Sequence, residues 1–150
     1  MEISIVKGTA PNAEVIAGFQ LAMAEESEGT VLNLETVRRG VSAVLSDPAK
    51  GMYFVARNED GTIMGSLLVT KEWSDWNDCD YWWIQSVYVR PEFRHQGVFK
   101  ALYSAVRAQA KQAGSTYLRL YVDKENSPAQ NTYRKLGMGE CHYLMFEEKL

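Results

Sequence analysis

The residues best suited to chemistry run from Ser86 to Leu102, as Ser86-Val87-Tyr88-Val89-Arg90-Pro91-Glu92-Phe93-Arg94-His95-Gln96-Gly97-Val98-Phe99-Lys100-Ala101-Leu102. An apolar strand ends at a proline, and a polar turn with a basic residue and one glycine opens into a helix. That arrangement suits an anion. The first turn of a helix leaves N–H groups unpaired, and the macrodipole adds about half a positive charge there. Gly97 removes a side chain where a phosphate would approach the backbone. Arg94, with His95 or Lys100, would add charge-assisted contacts. Taken alone, the segment also reads as an ordinary strand-to-helix turn with a solvated arginine. The two best-known phosphate motifs, G-x-x-x-x-G-K-S/T and a G-x-G-x-x-G after the first strand, are absent.

A second motif follows about 30 residues on: Asn126-Ser127-Pro128-Ala129-Gln130-Asn131-Thr132-Tyr133-Arg134-Lys135-Leu136-Gly137-Met138. Ser127 is expected to cap a short helix, with Pro128 at its first position and Gln130 completing a capping box. Asn126, Ala129 and Tyr133 then fall on one side. A tyrosine there could protonate a thiolate leaving group, or it could be a packed core residue.

The elements that must position these residues follow from periodicity. Ile3 to Lys7 reads as a strand. Pro11 to about Glu25 reads as a helix on Val15, Phe19, Ala22 and Met23, followed by a polar link from Glu26 to Thr30. Leu34 to Leu45 is a second helix, ended by Ser46-Asp47-Pro48. Met52 to Arg57 and Ile63 to Thr70 form a hairpin about Asp60-Gly61. Trp73 to Asp80 is expected as a polar, aromatic connection. Tyr81 to Val89 is apolar on both faces and reads as a covered central strand, stopped by Pro91. Gly97 to Ala113 is a helix with Phe99, Leu102, Tyr103, Val106 and Ala110 on one face. Tyr117 to Val122 is a strand, Pro128 to Leu136 a helix, and His142 to Glu147 a closing strand. The order β-α-α-β-β-β-α-β-α-β predicts a mixed α/β fold, a central mixed sheet with helices on both faces.

Composition narrows the function. The chain has 150 residues, of which 46% are hydrophobic and 23% charged, as in ordinary globular proteins. No Pro-, Ser- or Gly-rich stretch divides it, so one domain over 1–150 is expected. The net charge is −3 with basic residues scattered, which argues against a nucleic-acid surface. The N-terminal residues lack the pattern of a signal peptide, and no apolar run is long enough for a membrane span. Cys79 and Cys141 fit no metal or disulfide spacing, nor has His95 or His142 ligands nearby in sequence. A cytoplasmic protein without a metal is expected.

Together the two motifs carry a resemblance. The strand–V-x-P-x-x-R-x-x-G–helix pattern at Val89 to Gly97, followed by N-x-x-A-x-x-x-Y-x-x-L-G from Asn126, is similar to the signature of the GNAT superfamily of N-acetyltransferases, and the element order agrees over nearly the whole chain. The resemblance implies the acyl-CoA N-acyltransferase fold, with the sheet splayed in the middle, and acetyl-CoA as co-substrate. Val87, Tyr88 and Val89 would offer backbone groups to the pantetheine arm. Arg94, His95, Gln96, Gly97, Val98, Phe99 and Lys100 would hold the pyrophosphate. Asn126 would contact the cofactor arm, Ala129 would leave room for it, and Tyr133 would sit by the sulfur. The reaction implied is direct attack of a neutral amine on the thioester, a backbone N–H near Tyr88 or Val89 polarising the carbonyl and Tyr133 protonating the sulfur. Two positions depart from the pattern: Phe99 stands where a small residue is usual, and His95 where Gly is frequent. Phe99 is expected to pack with Leu102, Tyr103 and Val106.

The acceptor is less marked. Glu26 and Glu28 are candidate general bases. The stretch Glu72-Trp73-Ser74-Asp75-Trp76-Asn77-Asp78-Cys79-Asp80-Tyr81-Trp82-Trp83 interleaves carboxylates and indoles, a pairing that suits an aliphatic ammonium and so a small, polyamine-like amine. Solvated acids and core tryptophans explain the same stretch. A protein or peptide amine, a longer acyl group, a non-catalytic acyl-CoA sensor and a partner-binding domain are the alternatives. Superfamily members are often homodimers, and Tyr143, Met145 and Phe146 are candidates for strand pairing across such an interface.

Overall fold

A computed structural model describes residues 1–150. The elements are β1 (Ser4–Lys7), α1 (Ala13–Glu28), α2 (Leu34–Ser46), β2 (Met52–Arg57), β3 (Ile63–Ser74), β4 (Cys79–Val89), α3 (Val98–Gln112), β5 (Leu118–Arg119) and α4 (Ser127–Lys135). The chain divides into two compact units, Met1–Leu120 and Tyr121–Leu150. No helix is long and apolar enough to cross a membrane.

The first unit holds one sheet in the order β1-β2-β3-β4-β5, its first four strands antiparallel and β5 parallel to β4. Side chains of directly paired residues share a face. Tyr53, Leu68 and Gln85 are therefore on one side, as are Val55, Ser66 and Tyr88. That side carries α1 and α2, whose Ile16, Ala17 and Val41 pack with Tyr53 and Val55. Phe54, Leu67, Val69 and Ile84 point the other way and meet α3, whose Val98, Leu102, Tyr103, Val106 and Ala110 are buried. Each such side chain taken fully from water contributes about 1.5–3 kcal/mol. The layered α/β arrangement with helices on both faces is the one expected.

Several boundaries differ from the expectation, each for a local reason. Helix α1 runs on through Glu28, because Gly29 takes a left-handed conformation (φ 61°) and its N–H closes the last turn on Ala24 and Glu25. Glu26 and Glu28 are thus helical, outside any link. The connection between β3 and β4 shrinks to residues 75–78. Ser74 Oγ donates to Tyr81 Oη at 3.0 Å and accepts from Asn77 N–H at 3.2 Å, while Asn77 Nδ2 also donates to Tyr81 Oη, so a buried polar knot turns the chain at once. Trp73 belongs to β3 yet stays exposed, as does Trp76 at the turn. Phe99 is half-buried, its ring 6.2 Å from Tyr103, and Val98 takes the first buried place on α3.

Strand β4 changes register opposite β3. Leu68 pairs with Gln85, and Ser66 with Tyr88, so β4 carries one extra residue. The bulge is marked by Ser86 in the left-handed region, φ 51°. Gly65 sits opposite its far side. A β-carbon there would lie 2.6 Å from the Tyr88 carbonyl oxygen, so glycine is required for β3 to approach β4 so closely. Pairing with β5 covers only Trp82 with Leu118 and Trp83 with Arg119, and β4 continues alone on that edge from Ile84 to Val89.

The second unit contains α4. Its cap is Asn126, whose side chain accepts from Ala129 N–H at 3.2 Å, and not the expected Ser127. Gln130 instead reaches back to the carbonyls of Asp123 and Lys124, at 2.9 and 3.0 Å. The expected strand from His142 to Glu147 is absent, and residues 138–150 form neither helix nor strand. A strand is stable only within a ladder, and this unit contains no other strand to supply one.

Candidate active site

The turn expected to bind an anion begins where β4 ends. Arg90 N–H donates to Met64 O at 2.9 Å, the last rung before Pro91 turns the chain out of the sheet. A single turn of 3-10 helix over Pro91–Phe93 leads to Arg94 in an extended conformation. His95 then adopts φ 62° and Gly97 φ 84°, two left-handed residues just before α3. Histidine therefore takes the conformation in which glycine is usual. Gly97 is the N-cap of α3 and has no side chain to satisfy the first turn, while open space surrounds the place where its β-carbon would be. Lys100, in the same turn, is exposed. These features fit a pyrophosphate. The open edge of β4 from Ile84 to Val89 leads away from the same turn and fits an extended amide-bearing arm.

Arg94 has a more structural position than its motif suggests. Its Nε donates to Val89 O at 2.8 Å, and its Nη2 pairs with Glu26 Oε2 at 2.8 Å. The guanidinium carbon lies 5.5 Å from the centre of the Tyr88 ring. Arg94 thus ties the end of β4 to the last turn of α1. Glu26 is the anionic end of that tie. Glu28, two residues on, is exposed and takes part in no ion pair. Tyr88 is buried against Phe19 at 5.1 Å, and desolvation, reinforced by the charge of Glu26, pushes its phenol above the ordinary value.

In the second unit, α4 presents Asn126 at its cap, Ala129 one turn on and Tyr133 a further turn along. Burial pushes the Tyr133 phenol above the ordinary value, so the group stays protonated through the neutral range.

The acidic and aromatic stretch 72–83 is dispersed by the hairpin. Glu72 accepts from Trp83 Nε1 at 2.9 Å and meets Arg119 at 3.4 Å. Trp82 is core. Trp73, Trp76, Asp75 and Asp78 are exposed around the turn. Sequence reasoning missed Ser86 and Gly65, which shape the end of β4. An isolated glycine inside a strand pattern was the available signal for the second; Ser86 had none.

The family model for the acetyltransferase (GNAT) family matches residues 19–138. A crystal structure of a possible acetyltransferase from Clostridium difficile 630 is 36% identical and superposes with a TM-score of 0.93, covering 100% of this chain and 99% of its own. At lower identity the likeness is one of fold. The ribosomal-protein-alanine N-acetyltransferase from Brucella melitensis biovar Abortus 2308 shares 15% identity (TM-score 0.81, 100% of each chain). The enzyme AAC(6')-Iy, solved with the bisubstrate analogue CoA-S-monomethyl-acetylneamine, shares 18% (TM-score 0.79, 100% of this chain and 99% of its own). No curated protein sequence matches the chain. With a family model spanning both motifs and a 36% identical structure matched end to end, the chain belongs to the GNAT acetyltransferase family.

Proposed function

We propose that the protein transfers an acetyl group from acetyl-CoA to the primary amine of a small molecule. The observation that carries this reading is the run of open β4 edge into the uncapped, left-handed turn at His95 and Gly97. Bound there, acetyl-CoA supplies an activated acetyl thioester. The backbone of Val87, Tyr88 and Val89 aligns its arm, and the turn from Arg94 to Lys100 holds its pyrophosphate, with Arg94 fixing the turn against β4. By the family's pattern, Asn126 would contact the arm and Ala129 would leave room for it. A main-chain N–H near Tyr88 or Val89 polarises the thioester carbonyl. The amine nitrogen bonds to the carbonyl carbon, the C–S bond breaks, Tyr133 gives its phenolic proton to the sulfur, and the proton that the nitrogen sheds passes to solvent, from which the Tyr133 phenolate is reprotonated.

The amine must arrive neutral. Of the two candidate bases, Glu26 is held by Arg94, whereas Glu28 is ungripped and is the better candidate. A polyamine-like acceptor draws its remaining support from Trp73 and Trp76 beside Asp75 and Asp78. The free thiols of Cys79 and Cys141 suit a reducing cytoplasm.

The first test is the melting temperature with acetyl-CoA, CoA or ATP. Ligand at a hundred times its Kd raises stability by about 2.7 kcal/mol, roughly 5–10 °C at this chain length. A shift with both CoA species but not ATP is expected, followed by thiol release with a panel of polyamines, amino acids and a peptide amine. No shift would end the reading.

A further inference from the structure

Only three buried side-chain polar atoms in the chain lack a hydrogen-bond partner: Gln20 Nε2, Ser66 Oγ and Arg90 Nε. Native interiors leave few such atoms, and each calls for a physical reason. All three belong to the layer between α1 and the sheet. Gln20 is only 8% exposed and lies on the buried face of α1 with Ile16, Ala17 and Ala24. Ser66 is fully buried and faces α1, since it pairs with Val55 and Tyr88. Arg90 is half-buried and turns to the same helix, its guanidinium 5.4 Å from the Phe19 ring centre. Phe19 in turn rests on Tyr88.

The character of these atoms selects a ligand. Amide and guanidinium nitrogens donate, and a hydroxyl can donate as well. The ion pairs of the chain engage Arg38, Lys50, Arg94 and Arg119, which leaves the Arg90 charge unmatched. Donors without acceptors beside an unmatched guanidinium complement an oxygen anion, and they would repel an ammonium group. The carboxylate of Glu26, on α1, is already met by Arg94. Arg90 also stands two residues beyond Tyr88, about 7 Å along a strand. A ligand anchored at Arg90 therefore lies beside the strand segment that, on the acetyl-transfer reading, faces the thioester.

We propose that Arg90 and Gln20, with Ser66 behind them, bind a carboxylate on the acceptor, which makes the acceptor a small amino acid and not a polyamine. The inference rests on the acetyl-transfer reading above for its function, though not for its binding. Amino acids place the amine one carbon from the carboxylate, so anchoring the anion at Arg90 holds the nitrogen near Tyr88. Gln20 then confers selectivity through an uncharged donor, and Arg90 through its charge.

The test compares matched amines by thiol release with acetyl-CoA: phenylalanine, phenylalaninamide and phenethylamine, and lysine against 1,5-diaminopentane. The wild type is expected to prefer the amino acid at least tenfold in kcat/KM, and Arg90→Met and Gln20→Leu each to reduce that preference about tenfold or more. Equal rates within each set, or variants that leave the ratio unchanged, overturn the proposal. Phenylalaninamide matching phenylalanine overturns the carboxylate in favour of a carbonyl. Calorimetric titration of the twenty common amino acids in the presence of CoA separates the two readings. Binding that is lost in Arg90→Met, without turnover of any amine, upholds the carboxylate site and removes the transfer reading. Turnover without amino-acid preference does the reverse. If no amino acid binds, the site is lost. Gln20→Leu should melt no lower than wild type, since it removes an unpaired polar group; a fall of several degrees with unchanged selectivity would assign Gln20 to a structural water and overturn its role.

Discussion

Arg94 and Glu26 meet at 2.8 Å, joining the turn between β4 and α3 to the last turn of α1. Both side chains are partly solvent-exposed, so the pair contributes little to stability, about 0–1 kcal/mol. Its value is positional. Glu26→Gln is expected to change the melting temperature by no more than about 3 °C, to alter the Kd for CoA by a few-fold, and to leave kcat within about tenfold of wild type. Glu28→Gln, by contrast, should lower kcat by about a hundredfold or more if Glu28 takes the amine proton. Steady-state kinetics of the two variants assign the base, and a reversed ranking would return that role to Glu26.

Tyr133→Phe should lower kcat by roughly ten- to a thousandfold while the Kd for CoA stays close to wild type. The pH profile adds a second readout. Because burial raises the folded-state pKa of Tyr133, its proton is present throughout the neutral range and is lost only above the ordinary phenol value of about 10. The alkaline fall in rate should therefore lie above pH ~10 in wild type and vanish in the Phe variant. The same shift acts on stability: the contribution of the neutral phenol is intact below the unfolded pKa and is lost as the pH rises through the folded one.

Gly97 offers a clean electrostatic test of the phosphate site. Its φ of 84° is tolerated by Asn and Asp better than by other side chains, and a β-carbon meets nothing within 4 Å. Gly97→Asn and Gly97→Asp are nearly the same size and differ in charge. The Asp variant should bind CoA at least tenfold more weakly than the Asn variant, with the difference shrinking in high salt. Equal affinities would move the pyrophosphate elsewhere.

His95 is a non-glycine residue at φ 62°. A left-handed conformation costs an ordinary residue about 1–2 kcal/mol, partly offset by the extra unfolded-state entropy of glycine. His95→Gly is therefore expected to stabilise the protein by about 0.5–1 kcal/mol, near 1–4 °C in melting temperature. A lower melting temperature would mean that the imidazole makes a contribution greater than the strain.

The fold was legible wherever hydrophobic periodicity met a clear stop. Met52–Arg57 and Leu34–Ser46 lie within a residue of expectation, since Asp60-Gly61 and Ser46-Asp47-Pro48 punctuate them. The end of α1 was not, because Glu26-Ser27-Glu28 looks like a link until Gly29 is known to close the turn. The β3–β4 hairpin was hidden by the polar residues of its knot, Ser74, Asn77 and Tyr81, whose pairing spans elements. The closing strand failed because alternation states a preference that only a partner strand can satisfy. Around the candidate site, the places of Gly97 at the start of α3 and of Tyr133 on α4 were legible from spacing. Gln20 had a signal that went unread, a polar residue on the stripe Ile16, Ala17, Gln20 and Ala24. Arg90 and Ser66 became visible only when α1 was laid over the sheet.

The bulge at Ser86 gives β4 two phases. Before it, odd-numbered side chains such as Gln85 look toward α1; beyond it, even-numbered Tyr88 and Arg90 do. A strand of the same length that ran through Ser86 without the bulge would keep the rhythm of its first half and turn Val89 toward Phe19, sending Tyr88 and Arg90 to the α3 side; deleting Ser86 would remove the bulge and leave Tyr88 opposite Ser66. The bulge thus absorbs one residue without changing which way the end of β4 looks, and relatives that differ there by a single deletion would keep both the fold and the same faces.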